Sequence, residues 1–292
     1  MKFTPRALPP EAADASRGHD RHPLRELALL VAGIAAICAV LYLGVALVTD
    51  AVVMRISPAT EARLFGAVGN ALETPDELPA DLARQQARAE RLLTNLLAHA
   101  KLDGFPVRLR VWDRPETNAF ALPGGTIAVT PGLLRCVDSE PGLAFVLAHE
   151  LGHLHARDQL RGLGRRVGFQ VVMALLFSSS GDLQFGASQA GQFVHLSHSR
   201  ERETAADRYA LELVLTTLGS DAGTTQLFEK LDEQGLPGWA HMFSTHPATR
   251  ERIAALREHA ARLRAAPMKR NELRPARSGH DSQNRIDAGG GG

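Results

Sequence analysis

The chain has 292 residues, enough for one sizeable domain with appendages, and a hydrophobic share of 45% that is ordinary for a folded protein. A net charge of +1 excludes a general electrostatic nucleic-acid binder, so no nucleic-acid partner is expected. Two cysteines, Cys38 in an apolar run and Cys136 in an expected helix, are too few for a disulfide framework.

Residues 1–23 are rich in Pro, Ala, Arg and His without an apolar period, and they read as a flexible tail. Leu27 to Val48 is uncharged throughout. As a helix it reaches about 33 Å, enough to cross a hydrocarbon core of roughly 30 Å. The run exceeds the apolar part of a cleavable signal and no small-x-small site follows, so 24–49 is expected to be an uncleaved membrane anchor. Lys2, Arg6, Arg17, Arg21 and Arg25 precede it, and the nearest basic residues beyond it are Arg55 and Arg63. That bias predicts a cytoplasmic N-terminus and a single pass.

Residues 50–80 read as a juxtamembrane connector containing a helix start at Ser57-Pro58. From 81 to 266 the pattern is that of one predominantly helical α+β domain. Asp81 is expected to cap an amphipathic helix through about His99, with Leu82, Ala89, Leu92, Leu93, Leu96 and Leu97 as its apolar stripe. Val107–Val111 alternates strictly, which predicts a strand with its arginines on the outer face. Asn118–Leu122 and Thr126–Thr130 flank Pro123-Gly124-Gly125, a hairpin signal. Pro131-Gly132 breaks the second strand, and Glu140-Pro141 opens the next long helix. Val167–Phe177 is apolar but half a span long, so a buried helix is expected, with a membrane-touching hairpin as the alternative. Ser178–Ser188 reads as a loop, about 190–218 as a long helix, and 267–292 as a disordered tail ending in four glycines.

The helix after Glu140 carries His149-Glu150-Leu151-Gly152-His153, an H-E-x-x-H pattern. Residues four apart share one helix face, so both imidazoles can hold one metal ion, with Glu150 beside it. A bound zinc lowers the pKa of its water to near neutrality, and a carboxylate then takes the proton during attack on a carbonyl. Such a site needs a third protein ligand. Glu203 and Asp207 share a face of the later helix, and Ala206 and Ala210 would allow another helix to approach. Spacing alone leaves Glu203 open against His195, His198 and Glu201. An aspartate at 207 is suited to accept a hydrogen bond from a ligand histidine.

Four segments in order, Asn118-Ala-Phe-Ala-Leu-Pro-Gly-Gly125, His149-Glu-Leu-Gly-His153, Ser199-Arg-Glu-Arg-Glu203-Thr-Ala-Ala-Asp207 and His246-Pro-Ala-Thr-Arg-Glu-Arg252, resemble the HtpX/CAAX-prenyl-protease family of zinc metallopeptidases. The single anchor and compact domain resemble its periplasmic BepA-like branch more than its multi-span members. The resemblance implies a gluzincin fold with a small β-sheet, one Zn2+ held by His149, His153 and Glu203, and Glu150 as general base. It places Asp207 behind a ligand and His246 in the active site, either stabilising the oxyanion or closing the zinc site in a resting state. Arg252 is a candidate anchor for Asp207 or for substrate. An extended substrate along the hairpin edge would use Asn118, Gly124, Gly125 and Thr126.

The expected function is a zinc metalloendopeptidase anchored by residues 27–48 in a bacterial inner membrane. Its catalytic domain would face the periplasm and cleave unfolded or misassembled envelope proteins. A chaperone-like protein with a latent zinc site is the alternative from another class.

Overall fold

A computed structural model describes residues 23–75, 77–102, 104–137, 139–177, 199–224, 246 and 250–265. The loop predicted at 178–188, the stretch 190–198 of the predicted helix, the tail at 267–292 and nearly all of that at 1–23 lie outside these residues. In chain order the elements are α1 (Pro23–Val53), α2 (Pro58–Asn70), α3 (Ala80–Leu97), β1 (Arg108–Val111), β2 (Ala119–Leu122), β3 (Thr126–Val129), α4 (Pro131–Cys136), α5 (Glu140–Ala156), α6 (Asp158–Phe177), α7 (Arg200–Leu218) and α8 (Arg250–Ala265). The chain divides into two compact units, Met1–Arg55 with Gly164–Leu183, and Ile56–Leu163 with Gln184–Gly292.

In the first unit, α1 is long and apolar enough to cross a membrane, and its apolar stretch is not buried by protein. The end of α6 packs on it: a methyl group on Gly164 would meet Thr49 Cγ2 at 2.6 Å, and one on Gly168 would meet Val45 Cγ1 at 2.7 Å. The sequence predicts a buried helix at 167–177, and the structure corrects this. Phe169, Val171 and Met173 stand 51%, 41% and 37% exposed. The apolar run is the second half of one helix whose first half carries Arg161, Arg165 and Arg166, so it has no core of its own to enter.

The second unit begins at Ile56, so the residues set apart as a connector are divided differently from the sequence reading. Ser57 caps α2, its Oγ accepting from Thr60 N at 3.1 Å, with Pro58 in the first turn. Further along α2, Glu61 is buried and accepts from Gly124 N at 3.1 Å, while Gly66 O accepts from Arg108. Helix α2 is therefore bonded to the hairpin through Glu61, a buried carboxylate that needs such a donor, and to β1 through the Gly66 carbonyl.

Strand order is β1-β3-β2, with β2–β3 antiparallel and β1–β3 parallel. The hairpin signal is met, with Gly124 and Gly125 at φ +86° and +92° supplying the left-handed turn. The arginine face of β1 is not a solvated one: Arg108 Nε donates to Thr126 Oγ1 at 3.0 Å. Helix α3 buries Leu82, Ala89, Leu92, Leu93 and Leu96. It starts one residue before Asp81, which lies in the first turn while Pro79 takes the cap position.

Thr130 caps α4, and Ser139 caps α5 by accepting from Gly142 N at 3.2 Å. Every residue of α5 from Gly142 to Leu154 is buried, so this helix is the axis of the core rather than an amphipathic cover. It ends at Arg157, whose φ of 56° is a left-handed conformation usually left to glycine. The arginine is held there through its side chain: Nε donates to Glu61 Oε2 at 2.9 Å and Nη1 to Ile56 O.

Candidate metal centre

Helices α5 and α7 cross at a small-residue contact, which is what lets their side chains converge. A methyl group on Gly152 would sit 3.1 Å from Ala206 Cα and 3.3 Å from Ala206 Cβ. The glycine inside the H-E-x-x-H pattern thus has a packing reason: any side chain would push α7 away. With the helices this close, His149 and His153 face Glu203, and His246 arrives from the segment before α8.

The four side chains are buried, and one donor atom of each lies within 4.8 Å of all the others. His149 Nε2 is 3.1 Å from His153 Nε2 and 3.3 Å from His246 Nδ1. Glu203 Oε1 lies 3.0 Å from His246 Nδ1 and 3.4 Å from His153 Nε2, and its Oε2 lies 3.4 Å from His149 Nε2. These separations are close to the roughly 3.3 Å between neighbouring donors around a tetrahedral zinc.

Around these donors lies a layer of charged partners. Asp207 Oδ1 is 3.0 Å from His149 Nδ1, and Asp158 Oδ2 is 2.9 Å from His153 Nδ1. Each imidazole therefore turns its inner nitrogen to the cluster and its outer one toward a carboxylate, and the His153–Asp158 contact is a hydrogen bond that sets its tautomer. Arg252 ties two carboxylates together: Nε and Nη2 donate to Asp207 at 2.8 Å each, and Nη1 lies 2.8 Å from Glu203 Oε2. Arg202 Nη1 lies 3.3 Å from Asp158 Oδ1.

These partners shift the titrations. Burial alone would lower the His149 imidazole, but hydrogen bonds to Asp207 and Glu203 outweigh it and push it up to about 10. For His153 burial again opposes, and Asp158 and Glu203 raise it. Burial would raise the Glu203 carboxyl, yet hydrogen bonds to His149, His153 and His246 hold it well below the usual carboxylate range. The Asp207 carboxyl is lowered against its burial in the same way, by His149 and Arg252.

Glu150 is 1% exposed and neither of its oxygens takes a hydrogen bond; His246 Nε2 is 3.5 Å from its Oε1. A buried carboxylate without a donor is costly unless another group supplies charge or a proton. The clustered imidazole and carboxylate donors, with this orphan beside them, fit a divalent metal ion and a water molecule next to it.

Of the other sequence candidates, Asn118 is buried at the start of β2 with its Oδ1 unpaired. Gly124, Gly125 and Thr126 are not open to a second chain. A methyl group on Gly124 would be 2.8 Å from Gly66 N, one on Gly125 2.8 Å from Pro106 O, and Thr126 is fully buried. The close approach that the glycines permit is to α2 and to Pro106 of this same chain, which corrects their assignment to substrate. Glu201 is exposed, and His195 and His198 lie outside the described residues. Asp158 is the residue that sequence reasoning missed. Its signal was present, a carboxylate five residues beyond His153, but a break at Arg157 had to be known to point it back.

A helix bearing H-E-x-x-H, crossed by a second helix bearing glutamate, with both histidines backed by carboxylates, defines a metallopeptidase of the predominantly helical class with a small sheet. The sequence pattern of peptidase family M48 matches residues 83–260. The chain belongs to this family, whose members are metal-dependent metallopeptidases. It is 32% identical over 179 residues to the mitochondrial metalloendopeptidase OMA1 of Schizosaccharomyces pombe, covering 58% of this chain and 51% of that one. It is 32% identical over 178 residues to the metalloprotease LoiP of Escherichia coli, covering 58% and 69%, and 31% identical over 224 residues to a protease HtpX homolog of Salinibacter ruber, covering 62% and 79%. The chain thus spans about half the length of the fission-yeast relative.

Proposed function

We propose that the protein is a zinc metalloendopeptidase anchored in a bacterial inner membrane by α1, with the second unit in the periplasm, acting on unfolded or misassembled envelope proteins. One observation carries the chemistry: an orphaned, buried Glu150 beside four converging metal donors. His149, His153 and Glu203 would hold the ion, which when bound supplies Lewis-acid polarisation and a more acidic water. Glu150, with no hydrogen bond of its own, accepts the proton of the attacking water and passes it to the leaving amine. Asp207 and Asp158 keep each ligand histidine in the tautomer that presents its inner nitrogen. Arg252 spreads its charge over Asp207 and Glu203.

His246 occupies the fourth corner of the donor set, and four protein donors describe a closed site. This supports a resting state in which His246 shields the ion. Displaced by substrate, it becomes the donor to the developing oxyanion. The same observation favours the second reading, a latent site in a protein that mainly holds unfolded chains. For substrate, β2 is an edge strand among the described residues, lies against α5, and directly follows a buried Asn118 whose Oδ1 takes no hydrogen bond. That acceptor is suited to a substrate backbone N–H, and an extended chain beside β2 implies unfolded polypeptide.

The test is zinc content and cleavage of unfolded casein by the parent and three variants. Glu150→Gln is expected to keep zinc and lose cleavage, and Glu203→Ala to lose zinc. His246→Ala is expected to keep zinc and lose roughly 10²-fold in turnover, as when an oxyanion donor is removed. A Glu203→Ala protein with full zinc would overturn the ligand assignment. A parent that binds unfolded casein without cutting it would favour the latent reading.

A further inference from the structure

The first unit carries a second apolar surface that the anchor reading does not use. Helix α1 has no charge from residue 27 to 48, and its first charge beyond is Asp50. Helix α6 has its last charges at Arg165 and Arg166, and from 167 to 177 its one polar side chain is Gln170. The two helices are in register. Gly164 abuts Thr49 and Gly168 abuts Val45, so they run antiparallel, four residues on one matching four on the other. Arg165 Nη2 sits 3.2 Å and 3.3 Å from the two carboxylate oxygens of Asp50. The border between charged and uncharged residues therefore falls at one level on both helices, and this ion pair marks it. On the uncharged side, Phe169, Val171 and Met173 are exposed beside the exposed apolar surface of α1.

We infer that residues 167–177 of α6 are inserted into the bilayer alongside α1, entering from the face where α1 ends, with lipid acyl chains as their partner. The inference rests on the reading of α1 as a membrane span. Eleven residues at 1.5 Å each reach about 16 Å, roughly half of a 30 Å core, so the segment dips in and does not cross. Helical hydrogen bonding within α6 satisfies the N–H groups of 167–177 and the carbonyls of all but its last turn at that depth. Close contact through Gly164 and Gly168, four apart, is the packing that apolar surroundings favour, where small residues let helices approach. Arg165 and Arg166 stay at the interface, where arginine is tolerated; one helix turn deeper they would oppose insertion.

The experiment uses the full chain in phosphatidylcholine–phosphatidylglycerol vesicles. Cys38 and Cys136 are replaced by serine, and single cysteines at Val40, Phe169, Val171, Met173 or Glu258 carry a polarity-sensitive fluorophore. Zinc content equal to the parent's confirms each variant is folded. Labels at 169, 171 and 173 are expected to emit blue-shifted and to lose intensity to acyl-chain nitroxides as strongly as the label at 40. The label at 258 is expected to be quenched by aqueous iodide instead. If 40 meets lipid while 169, 171 and 173 meet iodide, the inference fails and the anchor stands. If 40 itself escapes lipid quenching, the anchor reading fails first. Labels at 169–173 shielded from both quenchers, with self-quenching that grows with protein density, would show a second copy of the chain on this face and overturn the inference.

Discussion

His149 and His153 are each backed by a carboxylate, in different surroundings. His149 leans on Asp207, which lies on another helix and is gripped by Arg252, 6% exposed and bonded to two carboxylates. His153 leans on Asp158, five residues along the chain, and Arg202 beside it has a side chain 19% exposed. One support is long-range and clamped by a buried arginine; the other is local, equally buried at its carboxylate, with a partly exposed arginine behind it. The comparison teaches that similar first contacts conceal unequal dependence on the fold, since the support of His149 needs a buried arginine from a distant element while that of His153 is a hydrogen bond within one stretch of chain.

Breaking the clamped support should have the larger effect. Arg252→Met leaves Asp207 and Glu203 buried without their cation, and the metal-free protein is expected to lose about 3–5 kcal/mol of stability. Thermal unfolding of parent and variant measures this, and a change below about 1 kcal/mol would sink the clamp. Next, Asp207→Asn and Asp158→Asn each remove an orienting carboxylate and are expected to weaken metal binding roughly 10- to 100-fold. The asymmetry predicts that Asp207→Asn also lowers melting temperature more than Asp158→Asn, because it strands Arg252. Competition against a chelator gives the affinities, and equal melting temperatures would show the two supports to be equivalent.

The pH dependence sharpens the same contrast. In the metal-free protein His149 titrates at about 10, above the roughly 6.5 of an unfolded chain. Its stabilisation is therefore complete below pH 6.5 and is lost as pH rises through about 10. Asp207, lowered, contributes above its unfolded value of about 3.9 and loses this as pH falls below it. Metal-free protein is expected to be most stable between about pH 4 and 6.5, and metal binding at pH 7 should expel protons. Calorimetry in buffers of different ionisation heat reads the release, and no buffer dependence would refute it. A smaller effect than that of Arg252→Met is expected for Arg202→Ala, measured by denaturant unfolding, because its side chain is 19% exposed and its contact with Asp158 is longer, 3.3 Å against 2.8 Å.

Much of the fold was legible because local chemistry agreed with it. Ser57-Pro58 opens α2, Pro123-Gly124-Gly125 turns the hairpin, and a four-residue spacing sets His149 and His153 on one face. Ala206 read as a close-approach residue and meets Gly152. What was not legible depended on chain reversal or partners far away. The parallel pairing of β1 with β3 leaves no turn signal, since a crossover separates them. Asp158 was hidden because a left-handed Arg157, rather than the usual glycine, makes the corner that aims it. Arg108 looked solvated because nothing in an alternating strand announces that α2 covers its outer face. Glu203 stayed open against its neighbours in the sequence; among the described residues the crossing of α5 and α7 brings it, and not the exposed Glu201, to the two histidines.

The order of the supports along the chain has a consequence in time. His149, His153 and Asp158 leave the ribosome together, whereas Glu203 follows some 45 residues after Asp158 and Arg252 another 49 residues later. At roughly 5–20 residues per second, the second interval lasts about 2–10 s. Through it Glu203 and Asp207 lack the cation that lets them be buried side by side, so a nascent chain halted near residue 240 should bind zinc poorly in a chelator competition. The clamp on Glu203 and Asp207 is thus the last of these supports to be made.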